Sequence, residues 1–255
     1  MMKDEALLRY SRQIMLPDMD VAGQQKLVDA CILIVGVGGL GCPAAMYLAA
    51  AGVGRLILAD DDKVELTNLQ RQIAHSHGQL GESKVNSAAE TLRGLNPDVS
   101  LDLLDQRLMG EPLEQAVAEA DLIVDACDNF TTRFAINRAC IKFAKPLVSG
   151  AAIRMEGQVA VFDSRQDESP CYQCLYQEGD DADTSCSTNG VMAPLVGIIG
   201  SVQAMEAIKL ITGIGTSLAG RLLLLDAKSM QWREMKLPRD PNCPACADRS
   251  ALSSL

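Results

Sequence analysis

The stretch Gly36-Val-Gly38-Gly39-Leu-Gly41 has the spacing of a loop that lets a backbone close on phosphate. It follows an apolar run and opens a helical pattern, so its small residues would bring N–H groups to an anion at the positive end of a helix dipole. Asp60, ending the next apolar run, is set to accept hydrogen bonds from ribose hydroxyls. NAD and ATP are served alike by this pair of features, which leaves a nicotinamide dehydrogenase open. The run Asp60-Asp-Asp-Lys-Val-Glu-Leu-Thr-Asn68-Leu-Gln-Arg71-Gln72, followed by Lys84, separates the two. A triphosphate requires cations that a dinucleotide does not, and Arg71 and Lys84 would neutralise a leaving pyrophosphate. Taken singly, each would be an ordinary solvated charge.

Asp128, in Val124-Asp-Ala-Cys-Asp128-Asn129, falls just past another predicted strand. The carboxyl edge of a parallel sheet is where such folds bind ligands, and a carboxylate there would hold Mg2+ against phosphate oxygens. The competing assignment is a helix cap, because Asp-Asn-x-Thr-Thr also opens a helix.

Two CxxC pairs, Cys171-Tyr-Gln-Cys174 and Cys243-Pro-Ala-Cys246, supply the four thiolates of a tetrahedral structural Zn2+. Their wide separation makes the ion a clip that closes the C-terminal tail onto the body. A redox CxxC lacks the βαβ context of thioredoxin-like motifs. Cys186, within Thr184-Ser-Cys186-Ser-Thr, lies in a polar stretch where a thiol can meet another protein. Cys31, Cys127 and Cys140 read as packing, and Cys42 as a small residue beside the glycine loop. His75 and His77 read as solvent-exposed loop residues, and Trp232 as a packing anchor.

The elements that must position these groups alternate. Strands are expected at 31–35, 55–60, 99–104, 122–126 and 146–149, with helices at 22–30, from 40, at 83–95, at 111–120 and from 131. Strand and helix in turn imply a parallel sheet. Further strands at 158–162, 221–225 and 231–236, with short gaps, imply antiparallel pairing. The fold class expected is therefore α/β: a Rossmann-like, mainly parallel sheet with helices on both faces, continuing into antiparallel strands and carrying a four-cysteine zinc site. One domain is expected over residues 1–255: an N-terminal helical segment (1–30), a nucleotide-binding part (31–150), and a part carrying the zinc clip (151–255). Residues 177–189 read as a mobile loop, and the charge-free run 190–205 as a core or interface helix.

Composition agrees and excludes other classes. The chain is 48% hydrophobic but only 4% aromatic, which suits tightly packed strands and helices better than a β-sandwich. A formal charge of −10 repels a phosphate backbone and offers no basic face to nucleic acid or anionic membrane. Charges in the first residues, MMKDEALLRYSRQ, stand where a signal peptide needs an apolar core, and nine cysteines favour metal or thiol chemistry over disulfides. A cytoplasmic protein is expected.

The motifs RYSRQ, GVGGLG, TNLQRQ, ACDN, SGAAIRMEGQ, CYQC, GVMAPLVGIIGSVQAMEAIK and CPAC together resemble the MoeB/ThiF family, bacterial relatives of ubiquitin-activating enzymes, over nearly the whole chain. The resemblance implies that Gly39, Asp60, Asn68, Arg71, Lys84, Asp128 and Asn129 contact Mg-ATP, beside the loop glycines Gly36, Gly38 and Gly41 and the neighbouring Gln72. It also implies a homodimer in which Arg12 reaches the phosphates of the neighbouring subunit's site. The implied reaction is attack by the C-terminal Gly-Gly carboxylate of a ubiquitin-like sulfur carrier on the α-phosphate of ATP, giving an acyl-adenylate and pyrophosphate. A sulfur-donor protein follows as a partner, the third part of the chain would bind the carrier, and Cys186 is linked in the family to sulfur transfer. Ser149 to Gln158 and GVMAP look like the molybdopterin branch, whereas Lys228-Ser-Met-Gln-Trp232 and Ala59-Asp-Asp-Asp62 look like the thiamine branch. A non-catalytic zinc scaffold would leave Arg12, Arg71, Lys84 and Asp128 without a purpose.

Overall fold

The computed structural model describes residues 2–178 and 189–248. Eight strands form one sheet in the order β3-β2-β1-β4-β5-β6-β7-β8. The strands β1 (Cys31–Val35), β2 (Arg55–Ala59), β3 (Ser100–Leu104), β4 (Leu122–Asp125) and β5 (Pro146–Ile153) are parallel. The strands β6 (Glu156–Asp163), β7 (Arg221–Asp226) and β8 (Gln231–Lys236) continue antiparallel. Helices precede and link them: α1 (Asp4–Arg9), α2 (Ser11–Ile14), α3 (Asp20–Asp29), α4 (Gly41–Ala51), α5 (Lys84–Leu95), α6 (Gly110–Glu119), α7 (Phe130–Lys142), α8 (Tyr172–Leu175) and α9 (Ala193–Thr212).

β1 shows why the parallel strands read as unbroken apolar runs. Ile32 and Ile34 enter one core, shared with α4, α5 and α9, while Leu33 and Val35 enter another, shared with α6 and α7. Both faces are covered, so every side chain must be apolar. The chain winds outward from β1 to β3, then crosses to β4 on the other side of β1. The crevice beyond the carboxyl ends of β1 and β4 is thus the topological switch point, where open α/β sheets bind ligands.

Three expectations need correction. β5 and β6 are longer than expected, running to Ile153 and from Glu156, because the small residues Gly150 and Gly157 are strand positions on which α9 rests. A Cβ at Gly150 would come 2.4 Å from Gln203, and one at Gly157 would come 2.6 Å from Ile199. Trp232 is no packing anchor: it is 41% exposed on β8, the outermost strand, all six residues of which face solvent. The third correction, His75, belongs with the site. α9 is long and apolar enough to cross a membrane, yet half of it is buried inside the fold, against α3, α4, β4, β5 and β6.

Candidate active site

A cleft of about 580 Å3 opens at the switch point. Gly36, Gly38, Gly39, Asp60, Arg71, Gln72, Lys84, Asp128 and Asn129 all line it, although they come from the loops after β1, β2 and β4 and from the start of α5. Gly41, Asn68 and Arg12 do not line it. Gly41 serves the approach of α4 to the loop: a Cβ there would stand 1.9 Å from the Gly36 carbonyl oxygen. Asn68 shapes the turn, its Oδ1 accepting from the Glu65 N–H and its carbonyl from the N–H groups of Arg71 and Gln72. Arg12, on α2, is exposed. Cys186 lies outside the described residues.

Asp60 is held tightly. Its Oδ2 accepts the Val37 N–H at 2.7 Å and its Oδ1 accepts the Asp62 N–H at 2.9 Å, so it fastens the glycine loop to the end of β2. Burial pushes its carboxyl above the usual range, against the opposing charge of Lys84. The Lys84 ammonium stands 3.9 Å from Asp60 and 2.7 Å from Asp62, with only 6% of its side chain exposed. The solvated-charge reading therefore fails for Lys84: a desolvated cation is held at the cleft by two acids. Arg71 donates to the Thr67 carbonyl, and no carboxylate among the described residues pairs with it.

The capping question resolves in favour of Asn129, whose Oδ1 accepts the Thr132 N–H at 2.9 Å and starts α7. Asp128 is exposed at the cleft, with no hydrogen bond or ion pair among the described residues. Asp125 is occupied otherwise: it accepts from the Cys127 N–H, the Cys127 thiol and the Ser149 hydroxyl, with the buried Arg133 3.8 Å away. Asp128 fits a Mg2+ ion, which takes one or two carboxylates and completes its shell with phosphate and water. Cys127 also lines the cleft, but burial pushes its thiol well above the ordinary range and makes it a poor nucleophile.

Sequence reasoning missed Arg107, an exposed cation on the cleft rim in the loop after β3. The carboxyl-edge rule that finds Asp60 and Asp128 also points there, but no motif marks it. Tyr172 and Tyr176 were missed as well; both line the cleft, and the Tyr176 hydroxyl accepts from Gln158. The histidines divide. His77 is exposed, whereas His75 is buried behind the glycine loop, contrary to the expectation for a polar loop, because α5 covers it through Ser87.

The four cysteines converge. Their sulfurs lie within 4.8 Å of one another, with Cys171 to Cys243 at 3.6 Å, Cys171 to Cys174 at 3.8 Å and Cys174 to Cys246 at 3.5 Å. Zn–S bonds of about 2.3 Å arranged tetrahedrally require sulfur–sulfur edges of about 3.8 Å, so the donor set fits zinc. No pair is a disulfide. Arg239 donates to the Cys246 and Ala247 carbonyls and so ties down the second knuckle. The first knuckle starts α8, with Cys171 at its N-cap and Cys174 within it, and the helix also carries Tyr172 and leads directly into Tyr176.

The ThiF family profile matches residues 10–245. The chain belongs to the ThiF family. Its relatives within the family include the sulfur carrier protein ThiS adenylyltransferase of Escherichia coli, 48% identical over 98% of this chain and 99% of that protein. The molybdopterin-synthase adenylyltransferase of the same organism is 48% identical over 96% of this chain and 98% of that protein. Among solved structures, E. coli MccB with ATP superposes with a TM-score of 0.81 over 93% of this ThiF-family chain and 73% of that one, at 23% identity. PaaA gives 0.81 over 94% and 76%, at 25% identity.

Proposed function

We propose that this protein uses ATP to adenylate the C-terminal carboxylate of a ubiquitin-like sulfur-carrier protein ending in Gly-Gly, releasing pyrophosphate. The observation that carries the reading is the convergence, in one cleft with the glycine loop, of a desolvated Lys84 with an Arg71 and an Asp128 that make no ion pair among the described residues. A dinucleotide needs no such set. Family membership and the relatives' names support adenylation, and the carrier of molybdopterin synthase is the first substrate to test, with ThiS the second.

The chemistry asks little of a general base. A terminal carboxylate has a pKa near 3.5 and is already an anion at neutral pH, and no histidine lines the cleft. What the chain must supply is alignment of that carboxylate with the α-phosphate and neutralisation of the charge that moves onto pyrophosphate. Asp60 holds the ribose, the loop N–H groups meet phosphate, and Lys84 and Arg71 draw off negative charge. Asp128 would hold Mg2+, which screens the phosphate oxygens when bound. Residues lacking side chains suit the carrier tail, because they can thread beside bound ATP.

Zn2+ on Cys171, Cys174, Cys243 and Cys246 clips the tail to the body, and the whole chain works as one adenylyltransferase domain. A homodimer brings Arg12 to the neighbouring site, Cys186 acts later with a sulfur-donor protein, and the enzyme is cytoplasmic. All eight described cysteines are free, as a reducing compartment favours. ATP–pyrophosphate exchange with each carrier tests the reaction: Arg71→Ala is expected to abolish exchange and Cys186→Ala to preserve it. Failure of both carriers to stimulate exchange by the parent protein sinks the proposal.

A further inference from the structure

His75 is 8% exposed and lies outside the cleft lining, yet it touches the glycine loop. Its Nε2 is 3.0 Å from the Val37 carbonyl oxygen and its Nδ1 is 2.8 Å from the Ser87 Oγ. A carbonyl oxygen only accepts, so Nε2 carries the proton. Nδ1 is then the acceptor for the Ser87 hydroxyl. The same hydroxyl also donates to Gln79 Oε1 at 2.8 Å, an oxygen that accepts the N–H and hydroxyl of Ser76 as well, so the Ser87 proton is shared between Nδ1 and Gln79. Burial, with the charge of Lys84, holds His75 below its ordinary pKa and keeps this neutral tautomer at pH 7.

Val37 is the one residue between Gly36 and Gly38, and both sides of it are gripped. Its N–H donates to Asp60, while its carbonyl accepts from His75 and, at 3.4 Å, from the Cys42 thiol. The Val37 carbonyl shares a planar trans peptide with the Gly38 N–H, and in such a unit the two groups point in opposite directions. Turning the carbonyl back toward His75 therefore turns the Gly38 N–H toward the cleft that Gly38 lines. No acceptor among the described residues takes that N–H.

We propose that His75 is a positioning residue for nucleotide phosphate: by holding the Val37 carbonyl, it orients the Gly38 N–H as an anion donor. The inference rests on the reading that the cleft takes ATP. Asp60 anchors the ribose end of the same loop and His75 the phosphate end, so loss of His75 separates the two.

The test compares ATP with adenosine, which lacks the phosphates. Calorimetry with a non-hydrolysable ATP analogue gives one affinity, and competition by adenosine in pyrophosphate exchange gives the other. His75→Phe is expected to weaken the ATP analogue about 5- to 10-fold, the equivalent of one hydrogen bond, and to leave adenosine within about 2-fold. His75→Gln, whose amide reaches for the same carbonyl, is expected to restore most of the loss. Should His75→Phe fail to fold, Ser87→Ala carries the test, with a weaker loss of about 2- to 3-fold confined to the ATP analogue. Equal weakening of both ligands would mean a structural role only and overturns the proposal, as does ATP affinity unchanged in His75→Phe or in Ser87→Ala. Parent protein that fails to bind the ATP analogue refutes instead the nucleotide reading beneath it.

Discussion

Replacing Lys84 by methionine keeps the length of the side chain and deletes its charge beside two acids. Asp62 is 68% exposed, so its 2.7 Å pair with Lys84 is screened by water and adds little. Asp60 is only 9% exposed, and its Oδ1 lies 3.9 Å from the ammonium. At that range the attraction is about 4 kcal/mol for an effective dielectric of 20, partly offset by relief of the lysine's own desolvation. A net loss of about 1–3 kcal/mol is expected at pH 8. The sign with pH follows from Asp60. Burial already raises its folded-state pKa, and removing Lys84 raises it further. A raised carboxyl favours the folded state below the unfolded pKa, and that benefit is lost as pH rises through the folded pKa. The deficit of Lys84→Met relative to the parent is therefore largest at pH 8 and narrows as the medium is acidified through the raised Asp60 value. Urea unfolding from pH 4.5 to 8 measures it, and exchange at saturating ATP should fall by roughly 100- to 1000-fold. A deficit flat with pH, or exchange within tenfold of the parent, would refute the role given to this lysine.

Asp128→Asn should cut exchange by roughly 100-fold while moving stability by less than about 0.5 kcal/mol, because the carboxylate has no described partner. Asp125→Asn, which disturbs a buried carboxylate with three donors, should instead cost about 1–3 kcal/mol in denaturant unfolding. Cys174→Ser should lower bound zinc, measured by atomic absorption, from one ion per chain, and should depress the melting temperature; zinc content equal to the parent's would remove the clip. Gly41→Ala forces a Cβ to 1.9 Å from the Gly36 oxygen, and is expected to reduce soluble yield and ATP binding together.

Much of the molecule was legible in its residues. Strands buried on both faces must be apolar throughout, so β1 could be bounded residue by residue, and the alternation with helices announced a parallel sheet. The CxxC pairs were legible because tetrahedral thiolate chemistry requires that local spacing whatever the intervening chain does. Asp60 and Asp128 were legible because the carboxyl ends of parallel strands are where open sheets bind ligands.

Other properties belong to no local stretch. Lys84 is desolvated because the loop bearing Asp60 and Asp62 folds over the start of α5, and His75 is buried because Ser87 on that helix faces it. Neither neighbour adjoins it in sequence, so pattern reading took Lys84 as readily for a solvated charge and His75 for an exposed one. Trp232 erred the other way, since its residue type suggests burial while its strand is the last in the sheet. The cap of α7 fell to Asn129 rather than Asp128 through a single side-chain contact, which released the aspartate to the cleft. Residue types and spacing thus determined which groups are present and on which strand ends they sit. Tertiary packing decided which are dry, which are paired and which remain open to a ligand, because desolvation and pairing depend on neighbours brought from distant parts of the chain.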